Sequence, residues 1–248
     1  MTPLFVGRTL IEHDHLDSTN SYALKVLRNQ NMPEGTVIFT ENQTNGRGQV
    51  QNQWVSESSD SLTFSVVLYP HFLCASDQFQ LNKAISLGVY DYLSEHTDGV
   101  RIKWPNDLLI GGKKVGGILI ENQLKGNSLA CSVVGIGINL NQRRFPLALN
   151  GATSLYKFTR TIYQPRQEML RLCSFIEARY LQIRKRTRDL RADYFRALHQ
   201  NAGWFSYEDE TGMFEAEIVG VEPAGRLILR DRNGNQRPYA FKEVRFTF

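Results

Sequence analysis

Apolar positions along the chain recur with two periods, near 3.6 residues in some stretches and near 2 in others. The stretch "LDSTNSYALKVLRNQ" (16–30) has the helical period: Tyr22, Ala23, Val26 and Leu27 share a face, and Asp17 or Ser18 can cap the start. "GTVIFTEN" (35–42) and "SLTFSVVLY" (61–69) read as strands, with a polar, glycine-containing loop over 44–54 between them. The helical period returns over 76–96, where Leu81, Ala84, Ile85, Gly88, Val89 and Tyr92 form a stripe. Strand-like runs follow at 100–104 and 107–110, separated by Pro105, then at 115–122 and 128–140, with turns at 111–114 and 123–127. From about 164 to 200 a basic segment reads as helical, with Met169, Leu172, Cys173, Ile176 and Tyr180 at helical spacing. Beyond Ala202-Gly203, short β-rich pieces alternate with "DETG", "EPAG" and "RNGN". Turn signals so evenly spaced predict a small five-stranded barrel. The pattern as a whole predicts an α+β protein: a mixed, mostly antiparallel sheet with helices on one side over residues 1–200, and the β-rich domain over 201–248.

Charge changes this picture little. The net charge is +4, and residues 157–196 alone hold 11 basic and 4 acidic residues. A solvated helical face accounts for this excess more simply than an acidic partner does, and no DNA-reading motif accompanies it. Three widely spaced cysteines fit a reduced compartment. The start carries no basic-then-apolar signal, and no apolar run reaches membrane-spanning length. The expectation is a cytoplasmic protein that engages neither DNA nor membrane.

Three glycine-containing segments carry the candidate chemistry. In "NGRGQ" (45–49), Arg47 sits between glycines that allow close backbone approach, and its planar fork suits a phosphate or carboxylate. "KVGGILIE" (114–121) and "VGIGINLN" (134–141) place glycines inside strands, where they weaken pairing unless something must approach the backbone. Gly135, Gly137 and Asn139 fall on one face, a smooth trough ending in an amide. Lys103 ends a short strand, and the "WPND" turn after it can hold the ammonium as a fixed charge. An ordinary surface lysine and an ordinary surface loop are the plain alternatives. No GxGxxG or complete Walker loop is present, GxSxG is absent, and the five histidines are scattered.

Taken together, "STN" (18–20), "ENQTNGRGQ…W" (41–54), "KWPNDLLIGGKKVGGILIE" (103–121) and "GIGINLN" (135–141) resemble the biotin–protein ligases in order and spacing. The resemblance implies a class II synthetase-like catalytic domain with a C-terminal SH3-like barrel. It implies activation of biotin by ATP with Mg2+ to biotinyl-5′-AMP, then transfer to a lysine of a biotin carboxyl carrier domain. By the same resemblance Lys103 and Arg47 are catalytic. Ser18, Thr19, Asn20, Gln43, Gly46, Arg47, Gly48, Gln49, Lys103, Gly117, Gly135 and Gly137 bind biotin. Arg47, Lys103, Asn106, Lys114 and Asn139 bind ATP, and no residue is assigned as a metal ligand. Homodimerisation through the sheet is a further implication.

The stretch "GRGQVQNQW" departs from the family's commoner GRGRRG: Gln49 stands at an arginine position and Gln51 at a glycine position. Weaker retention of the adenylate follows as an expectation, as does a loop that is mobile without ligand. Because the catalytic pattern begins within the first twenty residues, the monofunctional type without a DNA-binding domain is expected. A lipoyl ligase and a non-catalytic biotin- or carrier-binding protein are the alternatives.

Overall fold

The structure, a computed structural model, describes residues 3–49, 53–54 and 60–247. The first part of the chain forms β1 (Leu10–Leu16), α1 (Thr19–Leu27), β2 (Val37–Gln43), the short β3 (Gly46–Arg47) and β4 (Gln53–Trp54), and β5 (Ser61–Leu68). Next come α2 (Phe79–Ser94), β6 (Val100–Lys103), β7 (Asp107–Ile110), β8 (Lys113–Lys125) and β9 (Ser128–Asn139). The helices α3 (Leu155–Thr159), α4 (Pro165–Arg184) and α5 (Arg191–Ala197) lead to β10 (Phe205–Asp209), β11 (Gly212–Val221), β12 (Leu227–Asp231), β13 (Gln236–Tyr239) and β14 (Arg245–Phe246).

Seven strands make the central sheet in the order β1-β2-β5-β9-β8-β7-β6. Only the β1–β2 pairing is parallel, so the sheet is mixed and mostly antiparallel. On β5 the residues alternate cleanly. Leu62, Phe64 and Val66 enter the main core with Leu81, Ile85, Leu172 and Ile176 of α2 and α4, while Val67 joins a smaller cluster with Ala23 of α1. Helices therefore cover both faces, not one: α1 lies opposite α2 and α4. Its short apolar stripe needs only a small patch of sheet, which leaves the rest of that face open.

Three further features differ from the sequence pattern. β1 was not anticipated, because "LIEHDHL" is a half-exposed edge strand and edge position demands few apolar residues. The basic helical segment is two helices, with a break that the sequence pattern does not mark. Arg186 adopts φ 51°, outside the helical region, and Asp189 Oδ1 accepts from Arg191 N at 2.9 Å to start α5. The ends of the 44–54 loop pair as the ribbon β3–β4, with Arg47 opposite Gln53, while residues 50–52 of that loop lie outside the described residues.

The basic face is laced with ion pairs. Arg166 binds Glu12, Arg171 binds Glu95 and Arg184 binds Glu34, and Asp193 takes Arg179, Arg188 and Arg196 together. A solvated helical surface is enough to explain it. Among the described residues no helix is long and apolar enough to cross a membrane.

The C-terminal residues form a five-stranded antiparallel sheet in the order β13-β12-β11-β10-β14. Among the described residues, two polar side-chain bonds help tie it to the rest. Trp104 Nε1 donates to Gly225 O at 2.9 Å, and Lys83 Nζ donates to Val221 O at 3.3 Å. The outer edge of β6 is covered as well, since His199 N donates to Ile102 O at 2.8 Å. The turn after Lys103 is thus held from both sides.

Candidate active site

A cavity of about 660 Å³ opens on the face of the sheet that carries α1. Its walls come from the start of α1, the β3–β4 ribbon, the β6–β7 turn, the glycine-bearing parts of β8 and β9, and the segment 241–246. Ser18 accepts from Ser21 N as the cap of α1, and this aims the next two side chains at the sheet.

A continuous polar chain begins there. Gln43 Oε1 accepts from Thr19 N at 2.9 Å, and the Thr19 and Ser65 hydroxyls lie 2.7 Å apart. Ser65 donates to Asn20 Oδ1 at 2.6 Å, and Asn20 Nδ2 donates to Glu121 Oε2 at 2.9 Å. Glu121 in turn receives Arg47 through two bonds, Nη2 to Oε1 at 2.9 Å and Nη1 to Oε2 at 3.2 Å. Each amide and hydroxyl of the chain is thereby fixed in orientation before a ligand arrives.

The strand glycines serve close approach, though of side chains in this structure. A Cβ on Gly135 would stand 2.5 Å from Asn20 Oδ1, and one on Gly137 would stand 2.5 Å from the Trp54 indole. The trough that the sequence suggested is therefore lined by Asn20 and Trp54. The indole nitrogen of Trp54 is buried and has no partner among the described residues. At Gly46 any side chain would collide with the carbonyl of Trp54 across the ribbon.

The β6–β7 turn carries the charge. Lys103 faces Asp107 in the strand register, and its ammonium lies 5.3 Å from the ring centre of Phe246. Burial pushes its pKa down; Asp107 opposes that shift and Lys114 adds to it. Lys114 Nζ binds Asp107 Oδ1 at 2.6 Å. Asn106 Nδ2 donates to Ile118 O at 2.8 Å, bracing the turn against β8. Among the described lining residues, five cations (Arg47, Lys103, Lys114, Lys242 and Arg245) face one carboxylate, Asp107. Such an excess around a partly buried space favours an anionic occupant.

Of the residues expected from sequence, Ser18, Thr19, Asn20, Gln43, Arg47, Gly48, Gln49, Lys103, Asn106, Lys114, Gly117, Gly135 and Gly137 border this one cavity. Gly46 stands beside it in the ribbon. Asn139 is buried behind the wall, where its Nδ2 donates to Thr153 O at 3.0 Å. Thr63, Ser65 and Glu121 were not singled out beforehand, although Thr63 lines the cavity and the other two brace it. The first two had a signal: Ser61, Thr63 and Ser65 alternate with Leu62, Phe64 and Val66 on a strand that is buried throughout. A polar stripe on a fully buried strand implies something polar across from it. Phe246 had no local signal, since it reaches the cavity from the far end of the chain.

The fold and the site define a class: an α+β domain with a cation-lined cavity on the open face of a mixed sheet, next to a glycine-bearing ribbon. Residues 13–139 match the profile of the Biotin/lipoate A/B protein ligase family, and the chain belongs to that family. It is 33% identical over 251 residues to the bifunctional ligase/repressor BirA of Bacillus subtilis, an alignment covering 95% of this chain and 73% of that one. It is 35% identical over 129 residues to a biotin–[acetyl-CoA-carboxylase] ligase of Paracoccus denitrificans, covering 50% of this chain and 51% of that one. Among solved structures it is similar to the biotin protein ligase of Aquifex aeolicus in complex with biotin and ATP. That match has a TM-score of 0.79 at 26% identity, covering 97% of this chain and 100% of the other.

Proposed function

We propose that this protein activates biotin with ATP to biotinyl-5′-AMP and transfers the biotinyl group to a lysine of a biotin carboxyl carrier domain. The observation that carries the reading is one cavity joining a pre-bonded polar chain (Gln43, Thr19, Ser65, Asn20) to a lining that, among the described residues, holds five cations and one acid. Membership of the family and similarity to the Aquifex ligase support it.

In the first step a carboxylate oxygen of biotin attacks the α-phosphorus of ATP. The bond from that phosphorus to the β-bridging oxygen breaks, and pyrophosphate leaves with its electron pair. Two anions must meet, so a fixed cation lowers the barrier where charge accumulates. Lys103 has that role. The "WPND" turn, pinned by Trp104 to Gly225 and by Asn106 to Ile118, limits the ammonium's position. Arg47 takes phosphate oxygens from the ribbon side, and Lys114 is auxiliary. Ser18, Thr19, Asn20 and Gln43 serve the biotin end and Asn106 the nucleotide end, while Asn139, buried and bonded to Thr153 O, backs the wall without meeting the ligand. In the second step the acceptor amine attacks the acyl carbon, AMP departs, and the amine's proton goes to solvent.

Mg2+ enters as part of the substrate MgATP. The one carboxylate among the described lining residues, Asp107, is held by Lys114, and a nucleotide-bound Mg2+ keeps most of its ligands from phosphate and water. A cytoplasmic, homodimeric enzyme is the accompanying expectation.

The test is biotin-dependent pyrophosphate release by the purified chain, followed by labelling of a carrier domain, with lipoate as competitor. Release with biotin and MgATP, unaffected by equimolar lipoate, is the expected result. Preference for lipoate would transfer the reading to a lipoyl ligase, and biotin binding without release would reduce it to a binding protein.

A further inference from the structure

Glu121 does not line the cavity, yet it holds two residues that do. Its Oε2 accepts from Asn20 Nδ2 at 2.9 Å and from Arg47 Nη1 at 3.2 Å, while its Oε1 accepts from Arg47 Nη2 at 2.9 Å. It sits on β8 opposite Val133 of β9, with its side chain 23% exposed. Arg47 is 46% exposed and stands on a ribbon only two residues long in each strand. A guanidinium so placed has many orientations available to it unless something selects one.

The carboxylate selects one. It takes the two terminal nitrogens, with Ser21 Oγ a weak third partner at 3.5 Å. The Nε–H, on the other edge of the fork, bonds to no described residue and remains for an anion in the cavity that Arg47 borders. We propose that Glu121 is a positioning residue: it fixes the plane of the Arg47 guanidinium so that the remaining edge meets the adenylate phosphate, and ties that orientation to Asn20 at the other end of the ligand. This rests on the adenylation reading above.

The carboxylate also neutralises part of the arginine's charge, so Glu121 aims the group at some cost in its raw attraction for phosphate. Ordering therefore has to outweigh charge, and a partly exposed, two-bonded pair contributes about 0.5–1 kcal/mol, a factor of about 2–5. The Glu121→Gln substitution separates the two roles. Glutamine keeps a carbonyl oxygen for Asn20 and loses the ionic clamp on Arg47.

The experiment measures release of a non-hydrolysable sulfamoyl analogue of biotinyl-AMP, and biotin affinity, in the full chain and in Glu121→Gln, Arg47→Ala and the double variant. The expected result is release about two- to fivefold faster in Glu121→Gln, with biotin affinity unchanged within twofold. The same substitution should add nothing further once Arg47 is alanine. Slower release would mean that Glu121 parks the arginine away from the ligand, and would overturn the proposal. An equal acceleration in the Arg47→Ala background, or a parallel loss of biotin affinity, would assign Glu121 a purely structural part and overturn it too. If the unaltered chain fails to bind the analogue at all, the adenylation reading falls; if it binds and Glu121→Gln behaves like it, only this inference does.

Discussion

Replacing Lys103 by methionine should separate function from stability, because the two respond with opposite signs. Methionine keeps the apolar stem and removes the ammonium that lies 5.3 Å from the Phe246 ring centre, so the main change is loss of the charge. The ammonium sits where burial lowers its pKa, with Lys114 acting in the same direction. A basic group whose pKa is depressed in the folded protein makes the charged state costly at neutral pH. Removing that charge should leave stability within about 1 kcal/mol of the parent, or raise it slightly.

The effect on chemistry runs the other way. A unit charge about 4 Å from a developing negative charge, at an effective dielectric constant of about 20, contributes about 4 kcal/mol. Measured losses of single transition-state donors are about 3–4 kcal/mol, or roughly 10²–10³ in rate. Biotin-dependent pyrophosphate exchange should therefore fall by that factor in Lys103→Met, with biotin affinity altered far less. A urea titration beside the exchange assay supplies both numbers. Exchange within tenfold of the parent would remove Lys103 from the reaction, and a large drop in the unfolding midpoint would make it a structural lysine.

The other predictions concern the walls around that charge and the frame behind them. Gln49→Arg returns a cation to the ribbon end of the cavity and should slow release of biotinyl-AMP several-fold; unchanged release would mean that this position does not meet the intermediate. Gly135→Ala puts a methyl group 2.5 Å from Asn20 Oδ1, so it should weaken biotin binding at least tenfold by calorimetry while the fold, followed by circular dichroism, persists. Glu177, buried in α4, accepts from the backbone nitrogens of Leu4, Phe5 and Val6 at 2.6–2.9 Å. Glu177→Ala leaves those donors unmatched and should cost about 2–4 kcal/mol in a denaturant titration, with a loss under about 1 kcal/mol counting against the anchor. Burial holds the His96 pKa below its ordinary range, against the pull of Glu168. The unfolded chain therefore takes up that proton first, and stability should fall as pH drops below about 6.5. His96→Phe should flatten the decline between pH 7 and pH 5, and an unchanged slope would exclude His96 as a source.

The limits of legibility in this chain follow from how local each determinant is. The sheet was readable because β5 is buried throughout and β9 over most of its length, and burial writes itself into runs of apolar residues. β1 was not, because an edge strand half in solvent has no such demand. Arg186 hid the break between α4 and α5, since nothing in a run of basic residues marks one of them as having a positive φ. In the site, Lys103 and Arg47 stood out through their neighbours in sequence, a rigid turn and flanking glycines. Glu121 did not, because its partners Asn20 and Arg47 are separated from it by 101 and 74 positions.

The same distinction bears on where substitutions can hide. A residue that touches a ligand tends to sit in a conspicuous local pattern, because backbone must approach ligand there. A residue that orients another needs only a matching partner across a strand pair, and any strand can supply that. The turn "WPND" joins the two kinds. Its proline and asparagine mark it in sequence, and Asn106 braces it locally against β8, but it is also held by Trp104 bonded to Gly225, 121 positions away. Lys103 is therefore fixed by the C-terminal sheet as much as by its own turn. Loosening the Trp104 bond, as in Trp104→Phe, should lower the rate of adenylation even though Lys103 itself is retained, because the ammonium is less well aimed. If exchange in that variant matched the parent, the C-terminal sheet would have no part in aiming the charge.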